Sequence, residues 1–156
     1  MINIEQTGHL ALVVGDVEKS KAFYHDILGL AIREEDPDHG GTFLGVGRYG
    51  HNVDLFPVSA VSSDQLAELN GQRLHHLALR VATEEDLHEA YRSLKEAGVP
   101  IEATKAHESQ HSIYLKDPDG NRVEIYWEFP DAVEIFERGR SDANPYDGDD
   151  TLVFEA

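Results

Sequence analysis

His76-Leu77-Ala78-Leu79-Arg80-Val81 repeats His9-Leu10-Ala11-Leu12-Val13-Val14, and the two runs start 67 positions apart. Each is a short apolar run opened by a histidine, which reads as a half-buried strand. Alternation sets His9, Ala11 and Val13 on one face and Leu10, Leu12 and Val14 on the other; His76, Ala78 and Arg80 share a face in the same way. Outward from the first run, Asp16 fits a helix N-cap and Val17, Tyr24, Ile27 and Leu28 fall on one helical face. Gly29 stops that helix, and strands follow near residues 31–34, 42–46 and 52–56. Outward from the second, Thr83-Glu84-Glu85-Asp86 resembles a capping box with Asp at its acidic position. Leu87, Ala90, Tyr91, Leu94 and Ala97 then mark a helical face, and Gly98-Val99-Pro100 ends it. Strands near residues 101–105, 112–116 and 122–127 complete the unit.

Each copy therefore reads strand, helix, three strands. The caps Asp16 and Thr83 are 67 apart, the stops Gly29 and Gly98 are 69 apart, and Asp54 and Glu124 are 70 apart. A single open sheet of this kind cannot close its own core, so two copies must pair. The expected fold is α+β, two tandem β-α-β-β-β modules forming a barrel-like mixed sheet in one domain. Module one covers about residues 7–57, a linker 58–73, module two 74–128, and a C-terminal tail 129–156. A short helix is expected over residues 63–69. A second, over 131–138, is expected to pack through Val133, Ile135 and Phe136. Residues 141–150 are acidic and turn-rich, which predicts loose order.

Composition narrows the chemistry. The chain of 156 residues has no cysteine, which excludes disulfides, thiolate metal sites and cysteine nucleophiles. Thirty acidic side chains against thirteen basic give a formal charge of −17, a field that repels nucleic acid and anionic membranes. No stretch approaches the ~20 apolar residues of a membrane span, and Glu5 and Gln6 interrupt any secretory leader. A cytoplasmic protein is expected. Two histidines at matching places, His9 and His76, together with Glu124 on the polar face of a late strand, are the donor types that hold a divalent metal on one face and leave the other for substrate. These groups are costly to bury unless bound or paired, and they can converge if the two curved sheets close on each other.

The chain resembles the vicinal oxygen chelate superfamily, which includes glyoxalase I, fosfomycin and bleomycin resistance proteins, methylmalonyl-CoA epimerase and extradiol dioxygenases. The resemblance is carried by Gly8-His9-Leu10-Ala11-Leu12-Val13-Val14-Gly15-Asp16 and by Ser20-Lys21-Ala22-Phe23-Tyr24-His25-Asp26-Ile27-Leu28-Gly29-Leu30. Leu74-His75-His76-Leu77-Ala78-Leu79 and residues 117–126 complete it, so that it spans about residues 7–127. It implies two modules enclosing a metal. The second half is most similar to the catalytic domain of extradiol ring-cleavage dioxygenases. That likeness implies His9, His76 and Glu124 as metal ligands, Tyr114 ten residues before the glutamate as an active-site phenol, and His51 as an acid/base. His107 is implied as a further active-site histidine if its loop is two residues shorter than the family's; His111 is the alternative.

The implied activity is opening of a catechol-like ring with dioxygen. The implied cofactor is a divalent metal, Fe(II) first, with Mn(II), Zn(II) or Ni(II) as alternatives. The substrate would carry vicinal oxygens, and a homodimer is expected. Two other readings stay open. One is a glyoxalase- or epimerase-like lyase or isomerase with Asp54 as fourth ligand; the other is a drug-binding module of the bleomycin-resistance kind that catalyses nothing. His25, His39, His75 and His88 read as surface or structural, with His75 pointing away from His76.

Overall fold

A computed structural model gives the architecture and describes residues 8–47, 50–63, 66–67, 75–138 and 154. The chain divides into two compact units, Met1–Arg73 and Leu74–Ala156. In the first, β1 (Leu10–Val14) leads to α1 (Val17–Ala22), then β2 (Ala31–Glu35), β3 (Thr42–Gly45) and β4 (Val53–Pro57). The strands form one sheet in the order β1-β4-β3-β2, with β1 parallel to β4 and the other pairs antiparallel. The Asp16 side chain accepts from the Lys19 amide at 3.1 Å, as an N-cap should.

The helix does not continue as a regular α-helix. Over Phe23–Ile27 it widens to π-type turns, with the Leu28 amide bonded to the Phe23 carbonyl. The extra residue in the turn rotates the positions after it. Phe23 and Tyr24 are buried, Tyr24 as its spacing predicts, while Ile27, expected on the same face, is exposed. Gly29 then takes φ 77°, a left-handed stop that residues with a Cβ rarely adopt. The core of this unit is Leu12, Val14, Tyr24, Leu30, Leu44, Val53 and Leu55.

The second unit repeats the order with β5 (Leu77–Arg80), α2 (Glu84–Glu96), β6 (Ile101–Ala106), β7 (Gln110–Lys116) and β8 (Arg122–Glu128), followed by α3 (Ala132–Arg138). Its sheet order is β5-β8-β7-β6. Thr83 and Asp86 make the capping box reciprocally, at 3.1 and 3.0 Å. Leu87 and Leu94 of α2 are buried with Ile113, Leu115, Val123 and Ile125 of the sheet, whereas Ala97, which caps the helix end, is exposed. In α3 the buried residues are Ala132 and Ile135. Val133, expected to pack, points outward, because positions i and i+3 of a helix share a face and i+1 does not. Phe154, near the chain end, stacks on Tyr91 of α2 at 4.4 Å between ring centroids.

The α+β class and the doubled module order hold, with one correction to the expected architecture. The described strands form two separate four-stranded mixed sheets and not one closed barrel. Both ladders run out at their outer strands, and no backbone pairing among the described residues joins them. The expected helix over residues 63–69 lies partly outside the described residues, which show one turn, Leu66 N to Ser62 O at 2.9 Å. The Phe136 side chain and residues 141–150 lie outside them entirely. No helix among the described residues is long and apolar enough to cross a membrane.

Candidate metal and active site

The register of the two parallel pairs fixes where the polar groups stand. In the first unit Ala11 lies opposite Asp54; in the second Ala78 lies opposite Glu124. Each carboxylate is therefore matched to the histidine two residues before its alanine, His9 or His76. The antiparallel neighbours match too: Phe43 is opposite Asp54, and Tyr114 is opposite Glu124. One module plan thus builds two half-sites that differ in a few side chains.

In the second unit the half-site is tight. His76 Nε2 lies 2.9 Å from Glu124 Oε2. The other carboxylate oxygen accepts from the Tyr114 hydroxyl at 2.8 Å and from Gln110 Nε2 at 2.9 Å. The same hydroxyl is 3.1 Å from His107 Nε2. Glu124 is 3% exposed and Tyr114 6%, so this is a buried, fully partnered network. Burial first, and then the adjacent Glu124 charge, pushes the Tyr114 phenol well above its ordinary range, which keeps it a hydrogen-bond donor at neutral pH. The Arg122 guanidinium covers the Tyr114 ring at 4.5 Å.

Which of the two loop histidines meets Tyr114 follows from the β6–β7 turn. His107, Glu108 and Ser109 alone separate the strands, and His107 N bonds to Gln110 O at 2.8 Å. This short turn brings His107 back to Tyr114. His111 is an odd number of residues from Tyr114 and so faces the other side of the strand, against Trp127, Phe129 and Glu84.

In the first unit His51 Nδ1 is 2.6 Å from Asp54 Oδ1, the His51 ring stacks on His9 at 4.5 Å, and Phe43 meets its edge at 5.7 Å. His9 Nε2 is 3.8 Å from Asp54 Oδ2, a longer gap than in the second unit, as the shorter Asp side chain requires. His9, His51 and Asp54 offer ligand atoms within 4.8 Å of one another. Sequence reasoning reached His51 and Asp54 separately but not their contact. It missed Gln110, whose only signal is that it shares a strand face with Ser112 and Tyr114.

One expectation is overturned. His75 does not point away from His76: their Nδ1 atoms are 2.7 Å apart. Both residues precede the first strand residue, Leu77, so strand alternation does not govern them. His25, His39 and His88 lie outside both half-sites; His25 bonds the Leu30 carbonyl, His39 pairs with Asp36, and His88 meets Phe154.

The donors suit a divalent ion. Two ligand atoms at ~2.1 Å from a six-coordinate cation are roughly 3 Å apart, and His76 Nε2 and Glu124 Oε2 have that spacing at 2.9 Å. Imidazole nitrogen with carboxylate oxygen is a donor set for first-row metals such as iron and zinc.

Comparison with known proteins agrees with this chemistry. The sequence matches the model of the Glyoxalase/Bleomycin resistance protein/Dioxygenase superfamily over residues 6–125. It is 32% identical to the glutathione transferase FosA of Serratia marcescens, covering 79% of this chain and 81% of that protein. It is 30% identical to the catechol-2,3-dioxygenase of Bacillus subtilis, covering 71% of this chain but only 37% of that protein. The fold superposes on a solved glyoxalase/dioxygenase from Nostoc punctiforme with a TM-score of 0.64 at 25% identity, covering 81% of this chain and 93% of the other.

Proposed function

The chain belongs to the Glyoxalase/Bleomycin resistance protein/Dioxygenase superfamily, and on that premise we propose that it is a metal-dependent extradiol-type dioxygenase opening a catechol-like ring. The proposed ligand set joins His9 of the first unit with His76 and Glu124 of the second, supplied by one chain or by two chains of a homodimer. The observation that carries the reading is the Tyr114 hydroxyl held between Glu124 at 2.8 Å and His107 at 3.1 Å. A site that only held a metal or a drug would have no use for a buried phenol and a second histidine beside the ligand.

When bound, Fe(II), or Mn(II) in its place, would supply a positive centre that accepts the two vicinal oxygens of the diol and couples the ring to dioxygen. The protein's own groups divide the remaining work. Tyr114, kept protonated, turns its one hydroxyl proton from Glu124 to a substrate oxygen, Gln110 remaining on the carboxylate, and His107 holds the phenol in place. His51 presents Nε2 as the acid/base that takes and returns the substrate proton. Both atoms of dioxygen end in the product, and the carbon–carbon bond beside the diol is the one that breaks.

A second reading is favoured by the Serratia marcescens relative, which matches over most of its length. It is metal-dependent transfer of glutathione to a small molecule, without dioxygen. The deciding experiment reconstitutes protein purified under anaerobic conditions with Fe(II) and adds catechols and air. Coloured ring-opened product with matching oxygen uptake supports the dioxygenase. No oxygen uptake with any catechol, alongside thiol consumption with an electrophilic substrate, replaces it with the transferase.

A further inference from the structure

We infer that Asp54 is a positioning residue for His51 and not a fourth metal ligand. The inference rests on the reading of His51 as the acid/base and adds to it the group that sets which ring nitrogen carries the proton.

The argument comes from comparing the half-sites position by position. Glu124 and Asp54 occupy equivalent places beside Ala78 and Ala11. In the second unit the cross-strand neighbour of the carboxylate is Tyr114, whose hydroxyl binds Oε1. Oε2 is left directed at His76 at 2.9 Å. In the first unit the cross-strand neighbour is Phe43, which has no hydroxyl to offer. The partner of the buried carboxylate is His51 instead, through Nδ1 at 2.6 Å. An unpaired buried carboxylate is costly, and Asp54 is 3% exposed.

The remaining oxygen, Oδ2, stays 3.8 Å from His9 Nε2, outside hydrogen-bond reach. Asp54 therefore hydrogen-bonds His51 and comes only within ion-pair range of His9. A carboxylate that accepts from Nδ1–H fixes the tautomer and leaves Nε2 with its lone pair turned outward. This is the same division of labour as in a nucleophile–base–orienter triad. Phe43 against one edge of the imidazole and His9 stacked on its face hold the ring in that orientation.

The test uses the full chain without metal and reads the histidine tautomers by long-range proton–nitrogen NMR. Wild-type His51 should carry its proton on Nδ1. Asp54→Asn should keep that tautomer, because the amide oxygen still accepts. Asp54→Ala should move it toward Nε2. In parallel, Fe(II) affinity of Asp54→Asn should fall by less than about a hundredfold, the upper range for a residue that acts only through a ligand's neighbour. A wild-type His51 protonated on Nε2 overturns the inference, and so does an affinity loss beyond that bound. Since Asp54→Asn preserves the shape of the side chain, the result stands even if the alanine variant fails to fold. The tautomer needs neither metal nor substrate, so its failure is separate from failure of the dioxygenase reading, which the catechol assay reports.

Discussion

Tyr114→Phe removes one oxygen atom and almost nothing else, and its cost can be worked from the hydrogen bonds that the oxygen makes. The hydroxyl is buried, donates to Glu124 Oε1 at 2.8 Å and faces His107 Nε2 at 3.1 Å. A hydrogen bond to a charged acceptor contributes about 1.5–3 kcal/mol. Gln110 still donates to the same oxygen at 2.9 Å, so the carboxylate is not left without a partner. The expected loss is therefore in the lower half of that range, about 1.5–2 kcal/mol. Urea unfolding of the metal-free protein should show a lower midpoint with an unchanged slope. A cycle with Glu124→Gln should give a coupling of about 1 kcal/mol, since the two groups touch. A loss under about 0.5 kcal/mol with no coupling would refute the network, because 0.5 kcal/mol is what a surface substitution costs.

Three further outcomes are expected. The phenols of buried Tyr114 and half-buried Tyr126 are both raised, chiefly by burial and then by Glu124 and Glu128 respectively. Above about pH 10, the ordinary tyrosine range, the unfolded chain loses these protons before the folded one, so stability should fall with rising pH there. Chemical unfolding followed through that range checks the slope, and phenolate absorbance should show two tyrosines lagging the rest. His75→Ala should weaken metal binding by about ten- to a hundredfold, because the Nδ1 contact at 2.7 Å orients the His76 ring; calorimetric titration reads this, and an unchanged affinity would remove His75 from the site. Gly45→Ala should destabilise the first unit by about 1–3 kcal/mol, since a Cβ there would lie 2.8 Å from the Gly50 carbonyl oxygen. A neutral midpoint would show that this backbone can move aside.

The features legible in the sequence are those that neighbouring residues decide. Asp16 and Thr83 cap their helices, and Gly29 and Gly98 take positive φ at the stops. The repeat spacing of Asp54 and Glu124 reappears as equivalent strand register. What stayed hidden depends on contacts or on local changes of geometry. The π-type turns that expose Ile27 leave no mark in a 3.6-residue pattern. The His75–His76 contact occurs where no strand alternation applies. Gln110 reaches Glu124 only because β7 and β8 pair in one particular register. In sequence Asp54 stands as a candidate fourth ligand; its 2.6 Å contact with His51 is a matter of side-chain direction, which spacing cannot give.

The most direct test is the metal content of the wild-type chain against His9→Ala, His76→Ala and Glu124→Ala, each loaded with Fe(II) without oxygen and then desalted. If His9, His76 and Glu124 share one ion, the wild type should retain one equivalent per chain and each variant close to none. Full retention in all three variants would contradict a common site and, with it, the proposed chemistry.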